Sequence, residues 1–241
     1  MKLEIVRINE INISEKNKVD KFILDVNTNG EFITTIEYLE YHPVDRFIDK
    51  SIIIKDLDSG SIKCVMMAAS TKENKDIIVS HPGTTFSGLI FNRKTKVCEI
   101  EEMLEVIETY YRDQCVKIIF KNIPSCYCSQ PNDDTGYALM KKNYMYGYTA
   151  LANIIDLTNI KNEVEIFEIY TSKRRNQVKK PIKKNEFELA KLETIDEIIW
   201  KNMNQNLSDK YDTRTTHTFA EISELQKKIS EKYYSLCSKI K

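Results

Sequence analysis

The sequence predicts an α/β fold of the α+β kind, in which helices flank a mixed, mostly antiparallel central sheet. Three observations support this prediction. Turn residues divide a strand-rich block, 51–91, into several short strands. Apolar residues at helical spacing follow in 99–112, and an apolar run rich in Val, Ile and Phe follows in 115–123. A further predicted helix, 133–143, and a predicted strand, 148–157, complete one α/β lobe.

The first fifty residues predict one strand and two helices. Leu3–Ile8 predicts a short strand at the start of the chain. Ser14 can cap a following helix whose apolar positions fall on one face. Asn29-Gly30 marks a turn, and Thr34–Tyr41 predicts a short helix that ends near His42-Pro43.

The strand-rich block begins with a hairpin signal. Ser51–Asp56 and Ser61–Ser70 are predicted strands on either side of the turn Asp58-Ser59-Gly60. Asp76–Ser80 predicts a third strand, and Gly88–Phe91 predicts a fourth. The block therefore supplies most of the sheet of the first lobe, for which we expect the boundaries 1–157.

The remainder of the chain, 158–241, predicts mostly helix. Glu186–Leu192 is the one clear strand pattern in it, so this part cannot build a sheet of comparable size. We therefore expect an incomplete second lobe. Its helix starts are indicated by three capping-box pairs, namely Asn162 with Glu165, Thr194 with Glu197, and Thr218 with Glu221.

Composition indicates a packed protein without a membrane span. Hydrophobic residues make up 41% of the chain and charged residues 30%. The 36 basic and 36 acidic residues balance, whereas a nucleic-acid-binding protein usually carries a basic excess. No apolar run approaches the roughly 20 residues that cross a bilayer, and the charged start 1–7 is unlike a signal peptide. We therefore expect a soluble, cytoplasmic protein.

The segment Ser80–Gly88 is unusually polar for a turn that follows a strand. Pro82-Gly83 favours a tight turn, and Gly88 permits close approach of the backbone. Two interpretations stay open: a substrate-facing loop, or a hairpin loop whose hydroxyls bond its own backbone. The polar side chains are those of Ser80, His81, Thr84, Thr85 and Ser87.

In its order of motifs, the chain resembles the FemAB-like branch of the GNAT acyltransferase superfamily. Ser80–Gly88 is similar to that family's run S-H-P-G-x-T-F-G-G, with serine at the eighth position. Tyr38–Ser51 looks like the family's first helix and hairpin, and Lys121–Tyr127 is similar to its K-x-x-P-x-x-Y. Lys173–Lys180 resembles the basic helix of the second lobe, and Thr216–Leu225 is similar to P-x-H-T-x-x-E-I-x-x-L. The resemblance spans almost the whole chain.

The resemblance implies a GNAT-like lobe followed by a partial second one, and it implies an N-acyltransferase. Such an enzyme passes an acyl or aminoacyl group from acyl-CoA or aminoacyl-tRNA to an amine, for example on an amino sugar or a cell-wall precursor. The alternative is a non-catalytic GNAT-like binding module. The sequence lacks the turn [RQ]-x-x-G-x-[GA] with which GNAT enzymes hold the coenzyme pyrophosphate, which favours the alternative. A weaker third interpretation is a tRNA- or nucleotide-binding protein.

His81 and Tyr127 are the catalytic candidates. An unperturbed imidazole titrates near pH ~6.5 and can accept the proton of an attacking amine; the alternative is a structural histidine. The Tyr127 phenol can donate to a substrate carbonyl or protonate a leaving thiolate, and the alternative is packing. The substrate-binding candidates are Ser80, Gly83, Thr84, Thr85, Phe86, His42 and Arg46.

A basic run follows in the second region. Thr171–Lys184 contains seven basic residues and no acidic residue. Arginine suits bidentate contacts with phosphate, so Arg174, Arg175 and Lys179 are the candidates for binding a coenzyme or tRNA phosphate. The alternative is a solvated helix face.

We expect no metal site. The chain has three histidines, and Cys126-Tyr127-Cys128 has no second cysteine pair at a suitable spacing. The six cysteines are scattered and predict free thiols.

Overall fold

A computed structural model of the protein describes residues 2–127, 133–149, 151, 154, 156–184, 187–192, 196–228 and 235–240. The chain forms two compact units, Met1–Met145 and Tyr146–Lys241. The assignment of 1–157 and 158–241 to two separate lobes stays a prediction.

The described part of the first unit has a run of six short strands between its second and third α-helices. Its helices are α1 (Ile13–Ile23), α2 (Ile36–Leu39), α3 (Val97–Tyr111) and α4 (Asp134–Lys141). Its strands are β1 (Leu3–Arg7), β2 (Phe47–Asp49), β3 (Ile52–Asp56), β4 (Ile62–Met66), β5 (Ala69–Thr71), β6 (Ile77–Val79), β7 (Ile90–Phe91) and β8 (Lys117–Ile119).

These strands form two four-stranded sheets. The first has the order β1-β3-β4-β7 and is antiparallel throughout. The second has the order β2-β5-β6-β8, and its only parallel pair among the described strands is β6 with β8, in register Val79↔Ile119. The predicted fold class, a mixed and mostly antiparallel sheet arrangement with flanking helices, is therefore confirmed.

The first sheet is buried on both faces because helices cover each side of it. Ile52 and Ile54 of β3 belong to a cluster with α3, to which Met103 contributes. Ile53, between them, faces the opposite way and joins a second cluster with Ile23 of α1. The alternation follows from the pleat of a strand, and burial of each such side chain stabilises the fold by about 1.5–3 kcal/mol.

Local side chains fix several helix starts. Asn12, and not Ser14, caps α1, because the Asn12 side chain accepts the Glu15 amide. Thr35 caps α2 in the same way by accepting the Tyr38 amide.

The second unit is described mainly as helices. They are α5 (Glu163–Ile169), α6 (Ser172–Lys184), α7 (Glu197–Tyr211) and α8 (Phe219–Lys228). Two strands, β9 (Phe187–Leu192) and β10 (Ser235–Ile240), form an antiparallel pair.

Helix starts in the second unit match the capping prediction at two of three places. Asn162 caps α5 by accepting the Val164 and Glu165 amides. The Thr218 amide donates to Glu221 Oε2 at 2.7 Å, and Thr218 Oγ1 accepts the Glu221 amide, which completes the predicted box at α8. At α7 the cap is Asp196; Thr194 lies outside the described residues.

Two strand predictions differ from the structure, and two described strands were not predicted. The predicted strand Ser61–Ser70 is two strands, β4 and β5, which belong to different sheets. β2 and β10 were not predicted, since their sequences carry weak alternation. The described residues of 148–157 adopt no strand, since their backbone pairs with no other described strand. Apolar residues such as Tyr148 and Leu151 are exposed there.

None of the helices in the described part of the chain combines the length and the apolar character needed to cross a membrane.

Gly30 offers a test of the packing between α1 and the first sheet. A Cβ at this position would lie 2.3 Å from the Ile23 carbonyl oxygen and 2.9 Å from Ile90 Cγ2. We expect Gly30→Ala to lower the free energy of unfolding by about 1–3 kcal/mol through overpacking, measured by urea denaturation. Gly136→Ala is the control, because a Cβ there meets nothing within 4 Å and alanine favours the helix by up to ~1 kcal/mol. Equal stability of Gly30→Ala and wild type would contradict this packing.

Candidate active site

The loop 80–88 connects β6 to β7 and lies against the chain that follows β8. The Ser80 amide donates to the Ile119 carbonyl at 2.9 Å, and the Ser87 amide donates to the Lys121 carbonyl at 2.8 Å. Ser80 Oγ accepts the Lys121 amide at 2.7 Å and the Gly88 amide at 3.2 Å. The parallel pairing of β6 with β8 therefore continues into the loop and fixes both of its ends.

The side chain of Lys121 holds the middle of the loop. Its ammonium donates to the His81 carbonyl at 3.3 Å and also to the Thr84 carbonyl. Burial lowers the pKa of Lys121. Two loop carbonyls are thus satisfied by one partly buried cation, which is a stronger contact than a neutral hydrogen bond.

Most hydroxyls of the loop bond backbone carbonyls or amides. Thr84 Oγ1 donates to the His81 carbonyl at 3.1 Å, and Ser87 Oγ donates to the Met67 carbonyl at 3.4 Å. Ser80 Oγ accepts two amides, as described above. The Thr85 side chain, by contrast, belongs to an exposed residue. The hairpin-loop interpretation therefore accounts for the hydroxyls of Ser80, Thr84 and Ser87, whereas Thr85 is an exposed residue of the loop.

His81 occupies a constrained and buried position. It adopts a positive φ of 42°, which is uncommon for a residue with a side chain. Its Nδ1 accepts the Gly83 amide at 3.2 Å, and this bond assigns the neutral tautomer with the proton on Nε2. Burial, assisted by the nearby His42 and Lys121, lowers the pKa of His81 from 6.5 to about 3. The imidazole is therefore neutral at physiological pH.

Aromatic rings surround His81. The His42 and His81 rings stack with centroids 5.8 Å apart and planes 17° apart. The Phe47 ring meets both imidazoles edge-on, at 5.0 Å from His42 and 5.2 Å from His81. The Arg46 guanidinium lies 5.3 Å from the Phe47 centroid, within the range of a cation–π contact. The structure therefore brings the candidates His42, Arg46 and His81 together around Phe47.

Gly83 permits this close arrangement. A Cβ on Gly83 would lie 2.3 Å from His42 Nε2 and 2.9 Å from Phe47 Cε2. A glycine at this position thus lets the loop backbone reach the histidine ring, as a substrate-binding or a structural loop requires.

Tyr127 lies next to the loop through Phe86. The two rings have centroids 4.9 Å apart; Phe86 is buried, whereas Tyr127 is 56% exposed. Tyr127 is in a short 3-10 turn, Ser125–Tyr127, that follows Pro124. Cys126 is an exposed free thiol, and Cys128 lies outside the described residues. The phenol is therefore open to solvent and to a bound molecule.

The three phosphate candidates have different environments on α6. The Arg175 guanidinium donates to the carbonyls of Phe167 at 3.0 Å and Tyr170 at 3.2 Å, so it caps the end of α5. Arg174 and Lys179 are exposed. This helix belongs to the second unit, whereas the loop 80–88 belongs to the first.

Lys121 and Phe47 are the residues to which sequence analysis gave no role at the site. Lys121 is the first residue of the K-x-x-P-x-x-Y pattern, so its place in a motif was the available signal. Phe47 is the first residue of β2, a strand that the sequence did not predict.

The comparisons with known proteins concern the fold. The chain is similar to the crystal structure of FemX, with a TM-score of 0.54 and 10% sequence identity. The likeness covers 100% of this chain and 58% of the FemX chain. The fold is therefore FemX-like. No protein-family model matches the sequence, and no curated protein matches it.

Replacement of Lys121 tests whether its ammonium stabilises the loop 80–88. Lys121→Met keeps most of the side-chain length but leaves the His81 and Thr84 carbonyls without the ammonium. We expect the free energy of unfolding to fall by about 1–3 kcal/mol, with faster deuterium exchange at the Ser87 and Gly88 amides. Lys117→Met, at an exposed position of β8, is the matched control. Unchanged exchange in the loop would contradict the assigned role.

The buried state of His81 predicts a pH dependence of stability. Its pKa is depressed to about 3 in the folded protein and lies near ~6.5 in the unfolded chain, so the unfolded chain binds the proton more tightly. The contribution of His81 to the free energy of unfolding is therefore fully present above pH ~6.5. It decreases as pH falls toward ~3, by up to about 1.4 kcal/mol per pH unit.

The measurement compares wild type with His81→Asn by urea denaturation across this window. Asparagine tolerates positive φ and does not titrate. The difference in free energy of unfolding between the two proteins should therefore narrow as pH falls. A difference that stays constant between pH ~6.5 and ~4 would refute the buried, neutral assignment.

Proposed function

We propose that this protein is an N-acyltransferase of the FemAB-like kind, which transfers an acyl or aminoacyl group to an amine. The observation that supports this most is the FemX-like fold along 100% of the chain. The loop 80–88, whose motif carries the sequence resemblance, contains the buried His81 and contacts the accessible Tyr127 through Phe86. The acceptor amine, on an amino sugar or a cell-wall precursor, is part of the proposal.

Acyl transfer of this kind needs positioning and charge stabilisation and no covalent enzyme intermediate. The amine nitrogen attacks the acyl carbon, and the bond from that carbon to the donor's sulfur or oxygen breaks. His81 carries its proton on Nε2, so we assign it the role of donor to the developing oxyanion. The role of base for the amine would require the opposite tautomer, which loses the bond from the Gly83 amide to Nδ1.

Tyr127 is the group that we assign to the leaving group. Its exposed phenol protonates the departing thiolate or ribose oxygen and regains a proton from solvent, while the amine proton passes to water. Thr85 and Arg46 contribute accessible polar groups for the acceptor, and Gly83 and Phe86 shape the backbone and the apolar wall of the loop.

The donor is acyl-CoA or aminoacyl-tRNA in this proposal. Both present phosphates, for which the exposed Arg174 and Lys179 are suited. Arg175 has an indirect role in this proposal. Its guanidinium donates to the Phe167 carbonyl of α5 and thereby orients the first turn of α6.

A second candidate function is a non-catalytic binding module with the same fold. Two observations favour it: Ser80, Thr84 and Ser87 already bond backbone groups, and the sequence lacks the Gly-rich pyrophosphate turn of GNAT enzymes. Such a module would bind the amine compound without an acyl donor.

The test combines donor binding with acyl transfer. Acetyl-CoA and charged tRNA are titrated separately by calorimetry, and transfer to glucosamine or to a lysine-containing peptide is followed by mass spectrometry. We expect one donor to bind and His81→Asn and Tyr127→Phe each to slow transfer about 100-fold, as for loss of one oxyanion donor or one general acid. Tyr137→Phe, at an exposed tyrosine of α4, is the control.

Absence of binding by both donors at millimolar concentration would exclude the enzyme for this chain. Retained binding of the amine compounds in that case would support the binding module instead.

A further inference from the structure

A concave surface lies on the first unit, at the opposite end of β7 from the loop 80–88. We call it the α1–α3 groove; it has a volume of about 330 Å³. The loop 80–88 precedes β7, whereas the groove includes residues that follow β7 and residues at the start of the antiparallel neighbour β4. Its lining residues are Phe22, Ile62, Lys63, Asn92, Lys94, Thr95, Glu99 and Met103.

The groove has an apolar floor. Met103 of α3 is fully buried beneath it, and Phe22 of α1 and Ile62 of β4 are half-buried. The floor therefore combines residues of α1 and α3, which cover opposite faces of the first sheet, with the first residue of β4. Its volume is at the small end of the range for small-molecule sites, which suits a ligand of one or two rings.

The rim of the groove is polar and carries an excess of positive charge. Lys63 and Lys94 contribute two ammonium groups, and Thr95 contributes a hydroxyl. The one carboxylate of the lining, that of Glu99, accepts the Lys96 amide at 2.8 Å and is engaged in capping α3. The groove also lies at the N-terminal turns of α3, where the helix dipole adds positive potential.

We propose that the α1–α3 groove binds a small organic anion with an aromatic body, of which an aromatic carboxylate is the representative. The apolar body packs on the partly exposed side chains of Phe22 and Ile62, beneath which Met103 is fully buried. The carboxylate faces Lys63, Lys94 and the Thr95 hydroxyl. The combination of one apolar floor with two cations on the rim distinguishes this class from a neutral or cationic ligand. This site is independent of the acyltransferase proposed above, and its test uses no catalysis.

The experiment uses naphthalene carboxylate as the probe and naphthylmethanol as its neutral counterpart. Binding to the full-length protein is measured by calorimetry, and the site is mapped from amide chemical shifts at Asn92 and Thr95. We expect the carboxylate to bind more tightly than the alcohol, with shifts at those two amides. Lys94→Glu should weaken the carboxylate by at least about tenfold, because a charge-assisted contact becomes a repulsion.

Lys75→Glu is the matched control, because Lys75 is exposed outside the groove and the substitution changes the net charge equally. It should leave the affinity unchanged. Circular dichroism and thermal unfolding confirm that both variants are folded. Equal affinity for carboxylate and alcohol, equal loss in both variants, or shifts confined to other amides would each overturn the proposal.

Discussion

The parallel pairing of β6 with β8 is the constraint on which the candidate site depends. It brings the end of β6, where the loop 80–88 begins, beside the residues that follow Ile119. Lys121 can then bond the loop through its amide, its carbonyl and its ammonium. A parallel pair needs a long crossover, and α3 provides it while covering one face of the first sheet. The same helix thus serves the core and the site.

The electrostatics of the site follow from this arrangement. The ammonium of Lys121 lies against the carbonyls of His81 and Thr84, and two imidazoles stack nearby. Burial is the main reason why the pKa of His81 is low and the imidazole stays neutral, and the nearby His42 and Lys121 add to it because a proton on His81 would place a charge beside them. The loop consequently offers a neutral donor at His81 Nε2, and the neighbouring ammonium of Lys121 is already bonded to loop carbonyls.

The sequence predicted the fold class because hydrophobic periodicity and turn residues are local. It predicted α3 and the hairpin of β3 with β4 well for this reason. It did not predict β2, whose three residues form a strand only because β5 lies beside them. It grouped Ser80–Gly88 as a polar cluster, but the bonds of Ser80 and Ser87 come from distant chain segments. The bonds from Arg175 to the end of α5 likewise depend on the conformation of the connection between α5 and α6, which residue spacing does not predict.

The bond from the Gly83 amide to His81 Nδ1 has a spectroscopic consequence. It keeps the two ring nitrogens chemically different, one as acceptor and one as N–H donor, throughout the pH range in which a free histidine would exchange between forms. Nitrogen resonances of this imidazole should therefore stay sharp and separate near neutrality. A molecule that contacts the loop would shift one of these resonances, whereas a change of pH near neutrality would not. The His81 ring therefore reports whether a molecule is bound at the loop.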